Sequence, residues 1–350
     1  MSKSDRKAAV QKLKTLVMTP KAELESFRNK LEKNYSTVFL PNHVEKNERD
    51  YGGVKCDYLV PEIYSSRRIM LYVHGGSFVG GSRDSWRNFC SSLANAASCR
   101  VVVPEFRLPP THPFPAGIED IHTVFRMLYA EEQVALELEK ASLNSEENNQ
   151  SGEEENAEDE KKKLPQIIIA ADGSGSSLAL ALLQKLSERY LKAVSLVYLI
   201  SPWLNLTSDC ELIAGKKIRD EVISGEDLHR AVDLYTYAAN LSNPLVSPLK
   251  AEAESFRNFP PFFIQLGEKE ILLQQARQLC QKLEDAGVEC MLDVWPEMIY
   301  MFQMADEYLP EAHLAIEKIG KYISRRESLT EAEEAERQRV LLINDIRNDF

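Results

Sequence analysis

The sequence predicts an α/β fold, a mainly parallel central sheet flanked by helices. Three observations carry this. Short apolar, β-branched runs alternate with helix-period segments along most of the chain, the pattern of parallel strands joined by crossover helices. One junction, Ile167-Ile168-Ile169-Ala170 followed by Asp172-Gly173-Ser174-Gly175 and then Leu178-Ala179-Leu180-Ala181-Leu182, reads as strand, tight turn and helix. The chain has 350 residues, 44% of them hydrophobic, enough to cover both faces of such a sheet.

Residues 5–35 read as amphipathic helix, with Val10, Leu13, Leu16 and Val17 at helical spacing and a break at Pro20, which has no amide proton to continue the ladder. Residues 1–50 are taken as an N-terminal helical cap segment. Strands follow at 54–60 and 68–73, the second running into His74-Gly75-Gly76-Ser77-Phe78. A strand at 100–103 leads to Phe106-Arg107-Leu108, and a helix covers about 116–130. Strands at 167–170, 194–200, 262–266 and 290–294 complete the sheet, so that 51–325 forms the main domain, with a second cap segment at 205–245. Residues 139–163 are polar, and 146–160 hold eight acidic residues and no basic one. Such a composition buries too little apolar surface to offset the cost of ordering, so a disordered surface insertion is expected. Residues 326–350 are expected to form a C-terminal helix: Thr330 and Glu333 make a capping-box pattern, and Leu342, Ile346 and Phe350 an apolar stripe. Packing on the parent domain is the plain expectation for that helix, and a homodimer contact is the alternative.

The net charge of −12 argues against nucleic acid or an anionic membrane surface as partner. Six cysteines are scattered with no C-x-x-C pair, so reduced, mostly buried thiols are expected, and neither a metal site nor a cofactor. The N-terminal residues lack an apolar core of signal-peptide length, and no apolar run approaches membrane-spanning length. The expectation is a cytoplasmic protein.

Seven blocks in order carry a resemblance. His74-Gly75-Gly76-Ser77-Phe78 resembles the HGGG oxyanion motif of hormone-sensitive-lipase-type (arylacetamide deacetylase-like) α/β hydrolases. The run from Phe106 through Pro109-Pro110-Thr111-His112-Pro113-Phe114-Pro115 to Asp120 is similar to that family's Y-R-L-A-P-E-H-P-F-P block, with Thr111 in place of a glutamate. The turn at 171–179 resembles its G-D-S-A-G-G-N-L-A elbow. Ser201-Pro202-Trp203, Asn243–Pro248, Gly267–Leu273 and Trp295–Gln303 resemble its later blocks, the last two its acid and histidine loops. The resemblance implies an α/β-hydrolase fold with a helical cap and an ester-cleaving ancestry.

The departures matter more. In this register Gly173 stands where the family has its nucleophilic serine, and Tyr300 where it has its histidine, while Glu270 keeps the acid. Acyl transfer by this route needs an oxygen nucleophile and an imidazole that takes and returns its proton. Glycine offers no nucleophile, and a phenol with an ordinary pKa near 10 is a poor base. His43, His74, His112, His122, His229 and His313 are all remote from position 300 in sequence. Tyr300 is expected to fill core with its hydroxyl hydrogen-bonded. Gly75 and Gly76 are expected to aim amides into the pocket, with the Ser174 amide opposite. The reading is therefore a catalytically degenerate hydrolase that keeps an oxyanion-type pocket for a small acyl or carboxylate ligand, or that binds a protein partner. Two alternatives stand beside it. One is a weak hydrolase using Ser174, or a water activated by Glu270. The other is an interaction scaffold acting through the acidic insertion and the C-terminal helix.

Overall fold

The computed structural model describes residues 2–36, 40, 43–65, 68–146, 164–207 and 220–326, side chains at 143–146 excepted. Eight strands are found among them: β1 (Val44–Tyr51), β2 (Val54–Pro61), β3 (Arg68–Val73), β4 (Arg100–Pro104), β5 (Gln166–Asp172), β6 (Val194–Ile200), β7 (Phe262–Gly267) and β8 (Cys290–Trp295). They form one sheet in the order β1-β2-β4-β3-β5-β6-β7-β8. The β1–β2 and β2–β4 pairs are antiparallel and the rest parallel. Helices flank it: α1 (Lys3–Leu13), α2 (Leu24–Tyr35), α3 (Arg83–Ala97), α4 (Ala116–Glu146), α5 (Gly175–Lys185), α6 (Glu188–Lys192), α7 (Gly225–Tyr235), α8 (Leu273–Asp285) and α9 (310–326).

The central strands read as unbroken apolar runs because they are covered on both faces. Every residue of β3 and β7 is buried, as is all of β5 after Gln166. The chain leaves β3 toward β4 on one side and returns to β5 on the other. That reversal opens a crevice at the C-terminal ends of the strands, where sites form in such sheets. The glycine loop after β3 and the turn after β5 meet there.

The structure corrects four expectations. Residues 44–50, assigned to a helical cap, belong to β1, an edge strand whose side chains are mostly exposed. Its polar sequence lacks the alternation that marks a half-buried strand. Its pairing is set by the turn at Gly52 and Gly53, with φ of 67° and 91°, the backbone that tight hairpins need. The helix expected to end near 130 runs to Glu146, so 139–146 of the supposed disordered insertion are helical. Residues 147–163 lie outside the described residues, as do 208–219 of the second cap segment and the expected C-terminal helix beyond 326. Cys280 of α8 and Cys290 of β8, expected to be reduced, form a disulfide with Cα atoms 5.5 Å apart. Cys56, Cys90 and Cys99 are free and buried as expected. Finally, the Tyr300 hydroxyl, expected to be hydrogen-bonded, makes no hydrogen bond among the described residues and faces Gly173 instead.

Among the described residues no helix is long and apolar enough to cross a membrane. No group of three or more His, Cys, Asp or Glu side chains among them could hold a metal ion.

Candidate functional site

β5 ends at Asp172, and the chain turns into α5 through Gly173 at φ +45°. Its amide donates to the Ile200 carbonyl at 2.9 Å, and its carbonyl accepts from the Trp203 amide at 3.0 Å. The turn is thus tied to the loop after β6. Gly175 packs so closely on the Val73 and His74 carbonyls that a Cβ there would collide with them.

Tyr300, on the loop after β8, is buried, and its hydroxyl sits over Gly173. A Cβ built on Gly173 would lie 2.5 Å from the Tyr300 Oη, closer than side-chain carbons approach. Burial, and then the negative charges at Asp172, Glu270 and Asp220, push the phenol's pKa well above its ordinary value. It stays neutral at physiological pH and cannot serve as a base there.

Glu270 is fully buried on the loop after β7. Its Oε1 accepts from the Gly267 amide at 2.5 Å and from the Ser201 hydroxyl at 2.9 Å. Its Oε2 is buried without a partner among the described residues. Burial raises the carboxyl's pKa well above its ordinary value, the Gly267 amide opposes this, and nearby Asp220 adds to it. Ser201, at φ +45°, also accepts the Met301 amide at 3.2 Å. The Ser201 hydroxyl therefore joins the loops after β6, β7 and β8. Gly173, Tyr300 and Glu270, predicted from distant stretches of sequence, are brought to one place, with Ser201 between the last two.

The glycine loop is held from below. Asp172 Oδ1 accepts from the Tyr72 hydroxyl at 2.8 Å, the Trp86 indole at 2.7 Å and the Gly75 amide at 3.0 Å. The Gly75 amide, expected to face the pocket, is therefore committed to Asp172. Gly76 lies at φ +103° and its carbonyl accepts from the Gly80 amide at 2.9 Å. The Ser174 hydroxyl accepts from the Phe78 amide at 2.9 Å, and makes no hydrogen bond to a histidine or to Glu270 among the described residues. His74 is buried beneath the loop, stacked on Phe106 at 4.3 Å, and desolvation lowers its pKa to about 4. His313 sits on α9 beside Glu317, and His43 beside Glu62.

Desolvation raises the Asp172 pKa from 3.8 to about 7, against the three hydrogen bonds it accepts. The folded protein therefore binds this proton more tightly than the unfolded chain. The stability this group contributes is complete below pH ~3.8 and is lost as pH rises toward ~7, at up to about 1.4 kcal/mol per pH unit. Asp172→Asn keeps an oxygen for the same donors and removes the titration. Wild-type stability measured by urea unfolding should fall relative to the variant as pH rises through that window, and parallel pH profiles would refute the assignment.

The space beside the elbow is small. A cavity of about 10 Å³ is lined by Phe78, His112, Phe114, Leu178 and Tyr235 among others, room for roughly one water. Ligand pockets typically measure about 300–1,000 Å³. Aromatic rings occupy the volume: Phe78 stacks on Tyr235 at 4.2 Å and meets Trp203 at 5.0 Å. Asp172, Ser201 and this aromatic plug were not identified as site residues from sequence. The only signal for the first two was their place next to Gly173 and in the Ser201-Pro202-Trp203 block. For the plug there was none, since Phe78 lies more than a hundred residues from both Trp203 and Tyr235.

Residues 70–304 match the family described by the alpha/beta hydrolase fold. The chain is 30% identical over 256 residues to an acetyl-hydrolase of Streptomyces hygroscopicus, covering 73% of this chain and 75% of that one. It is 28% identical over 292 residues to the esterase LipU of Mycobacterium tuberculosis, covering 82% and 86%. The crystal structure of an esterase from the bacterial hormone-sensitive lipase family superposes with a TM-score of 0.75 at 26% identity, covering 93% of this chain and 99% of that one. The chain belongs to the hormone-sensitive-lipase family of α/β hydrolases.

Proposed function

We propose that this chain is a catalytically silent member of its family, one that acts by binding rather than by cleaving esters. One observation carries the reading: the Tyr300 hydroxyl occupies the space above Gly173 that a nucleophile's side chain would need. The relatives named as esterases and acetyl-hydrolases perform acyl transfer. That chemistry requires an attacking oxygen and a proton shuttle, and here glycine and a neutral phenol stand at those positions. The small volume of the cavity lined by Phe78, Phe114 and Tyr235 favours a protein partner over a small acyl ligand. A carboxylate ligand is the second reading, supported by the Gly76 and Ser174 amides, which make no backbone hydrogen bond among the described residues. Ser174 is a poor substitute nucleophile, because its hydroxyl serves the Phe78 amide and has no base.

The test is hydrolysis of p-nitrophenyl acetate and butyrate by the full chain. Turnover should stay at the buffer background. Ser174→Ala should leave it there while lowering stability by about 1–3 kcal/mol, because the Phe78 amide loses its acceptor. Rapid turnover that disappears in Ser174→Ala would reverse the conclusion.

A further inference from the structure

Sulfur chemistry with solvent is confined to one place among the described residues. Cys56, Cys90 and Cys99 are buried and unlinked. Burial pushes each thiol's pKa above its ordinary value, to about 12 for Cys56 and Cys99. An enclosed thiol held neutral is inert. Cys280 and Cys290 differ on both counts. They are joined to each other, and Cys290 opens β8, the last strand of the sheet, where it is half-buried. Cys280, on α8, is only 7% exposed. A solvent thiol therefore reaches this bond from the Cys290 side.

The turn that the disulfide spans is already closed by the backbone. Gly287, at φ +77°, follows α8. The Val288 amide donates to the Leu283 carbonyl at 2.8 Å, and the Gly287 amide to the Glu284 carbonyl at 2.9 Å, the paired bonds of a left-handed glycine cap. Next along the chain, the Glu289 carbonyl accepts from the Phe262 amide at 2.9 Å. β8 then runs parallel to β7 from Cys290, opposite Phe262, to Trp295, opposite Gly267. α8 is anchored by buried Ala276, Leu279 and Leu283. The two cysteines are 10 positions apart, and the chain freedom a cross-link removes grows with the loop it closes. Opening the bond thus leaves turn, strand and helix in place, with the two sulfurs still facing each other.

We propose that Cys280–Cys290 is a reversible redox site, opened and re-formed in the folded protein by a small thiol of the glutathione class, with Cys290 the sulfur that carries the thiol. The small molecule's thiolate attacks Cys290 Sγ. A new S–S bond forms there, the Cys280–Cys290 bond breaks, and Cys280 Sγ leaves as a thiolate that takes a proton from water. A second small thiolate attacks the sulfur of the bound molecule and releases Cys290 as a thiolate, which is protonated in turn. The protein disulfide gains two electrons and two protons, and two small thiols become one small disulfide. The same steps in reverse close the site.

The full chain is incubated folded, with or without millimolar reduced glutathione, quenched with acid, then alkylated in denaturant and read peptide by peptide by mass spectrometry. Without glutathione, Cys280 and Cys290 should resist alkylation. With it both should be alkylated, while the protein keeps its cooperative thermal unfolding, and subsequent oxidised glutathione should restore the resistance. Folded Cys280→Ser given oxidised glutathione should gain one glutathione at Cys290. Cys290→Ser should gain one at Cys280 on the order of tenfold more slowly, because Cys280 is the buried partner. If either variant fails to fold, the wild-type experiment decides alone. Alkylation of both cysteines without glutathione would mean there is no bond to open. Reduction only in denaturant, or loss of the fold on reduction, would make the bond a fixed staple. Each of these results overturns the proposal, as does faster modification at Cys280 than at Cys290.

Discussion

Replacing Gly173 by Ser together with Tyr300 by His should raise hydrolysis of p-nitrophenyl acetate at least ~100-fold over the parent, with either change alone near background. Three groups act as a unit in such sites, so single restorations return little. The structure adds a steric reason. Gly173→Ser alone puts a Cβ 2.5 Å from the Tyr300 Oη at a backbone φ of +45°. The buried ring must move, and a left-handed non-glycine residue adds about 1–3 kcal/mol of strain. Tyr300→His relieves that collision by shortening the side chain. It also offers a ring nitrogen toward the unpartnered Glu270 Oε2, and an imidazolium there would draw the carboxyl back to its ionised form. Steady-state rates of the parent, both single variants and the double variant decide it. A folded double variant with no gain would mean that these positions are not the nucleophile and base positions.

Tyr235→Ala should have the largest effect on stability, a loss of about 3–5 kcal/mol, equivalent to roughly 5 °C in a chain of this length. The ring is buried, stacked on Phe78 and set edge-on to Phe114 at 6.3 Å. Its hydroxyl has no partner among the described residues, so the cost comes from the void and not from a broken hydrogen bond. The void opens beside the elbow, where the present cavity is about 10 Å³. Butyrate or a short ester should then restore part of the lost melting temperature in Tyr235→Ala and do nothing for the wild type, since only the variant has a site for it. Equal stabilisation of both proteins would mean that the wild-type pocket already admits such ligands.

What could be read from the sequence follows the range of each interaction. β3, β5, β6 and β7 are legible because burial on both faces demands an unbroken apolar run, and four such runs punctuated by helices leave few topologies. β1 is not, because Val44–Tyr51 sits at an edge where neither face must be apolar. The extension of α4 was hidden by its charge, although its glutamates, leucines and alanines are good helix formers. Gly173, Tyr300 and Glu270 were legible because each ends or follows a strand, and parallel strands deliver their C-terminal ends to one crevice. The contacts that hold them were not. Trp86 meets Asp172 across 86 positions, Met301 meets Ser201 across 100, and Cys280 meets Cys290 through a turn whose spacing matches no familiar pattern.

Asp172 has a consequence for how this protein can change. It anchors the glycine loop through Tyr72, Trp86 and Gly75 with no help from the atom that attacks or the ring that relays. The scaffolding of the crevice and its reactivity are thus written in separate side chains. On the proposed reading, mutation removes the second without disturbing the first, and turnover returns through changes at Gly173 and Tyr300 rather than through a refolded domain.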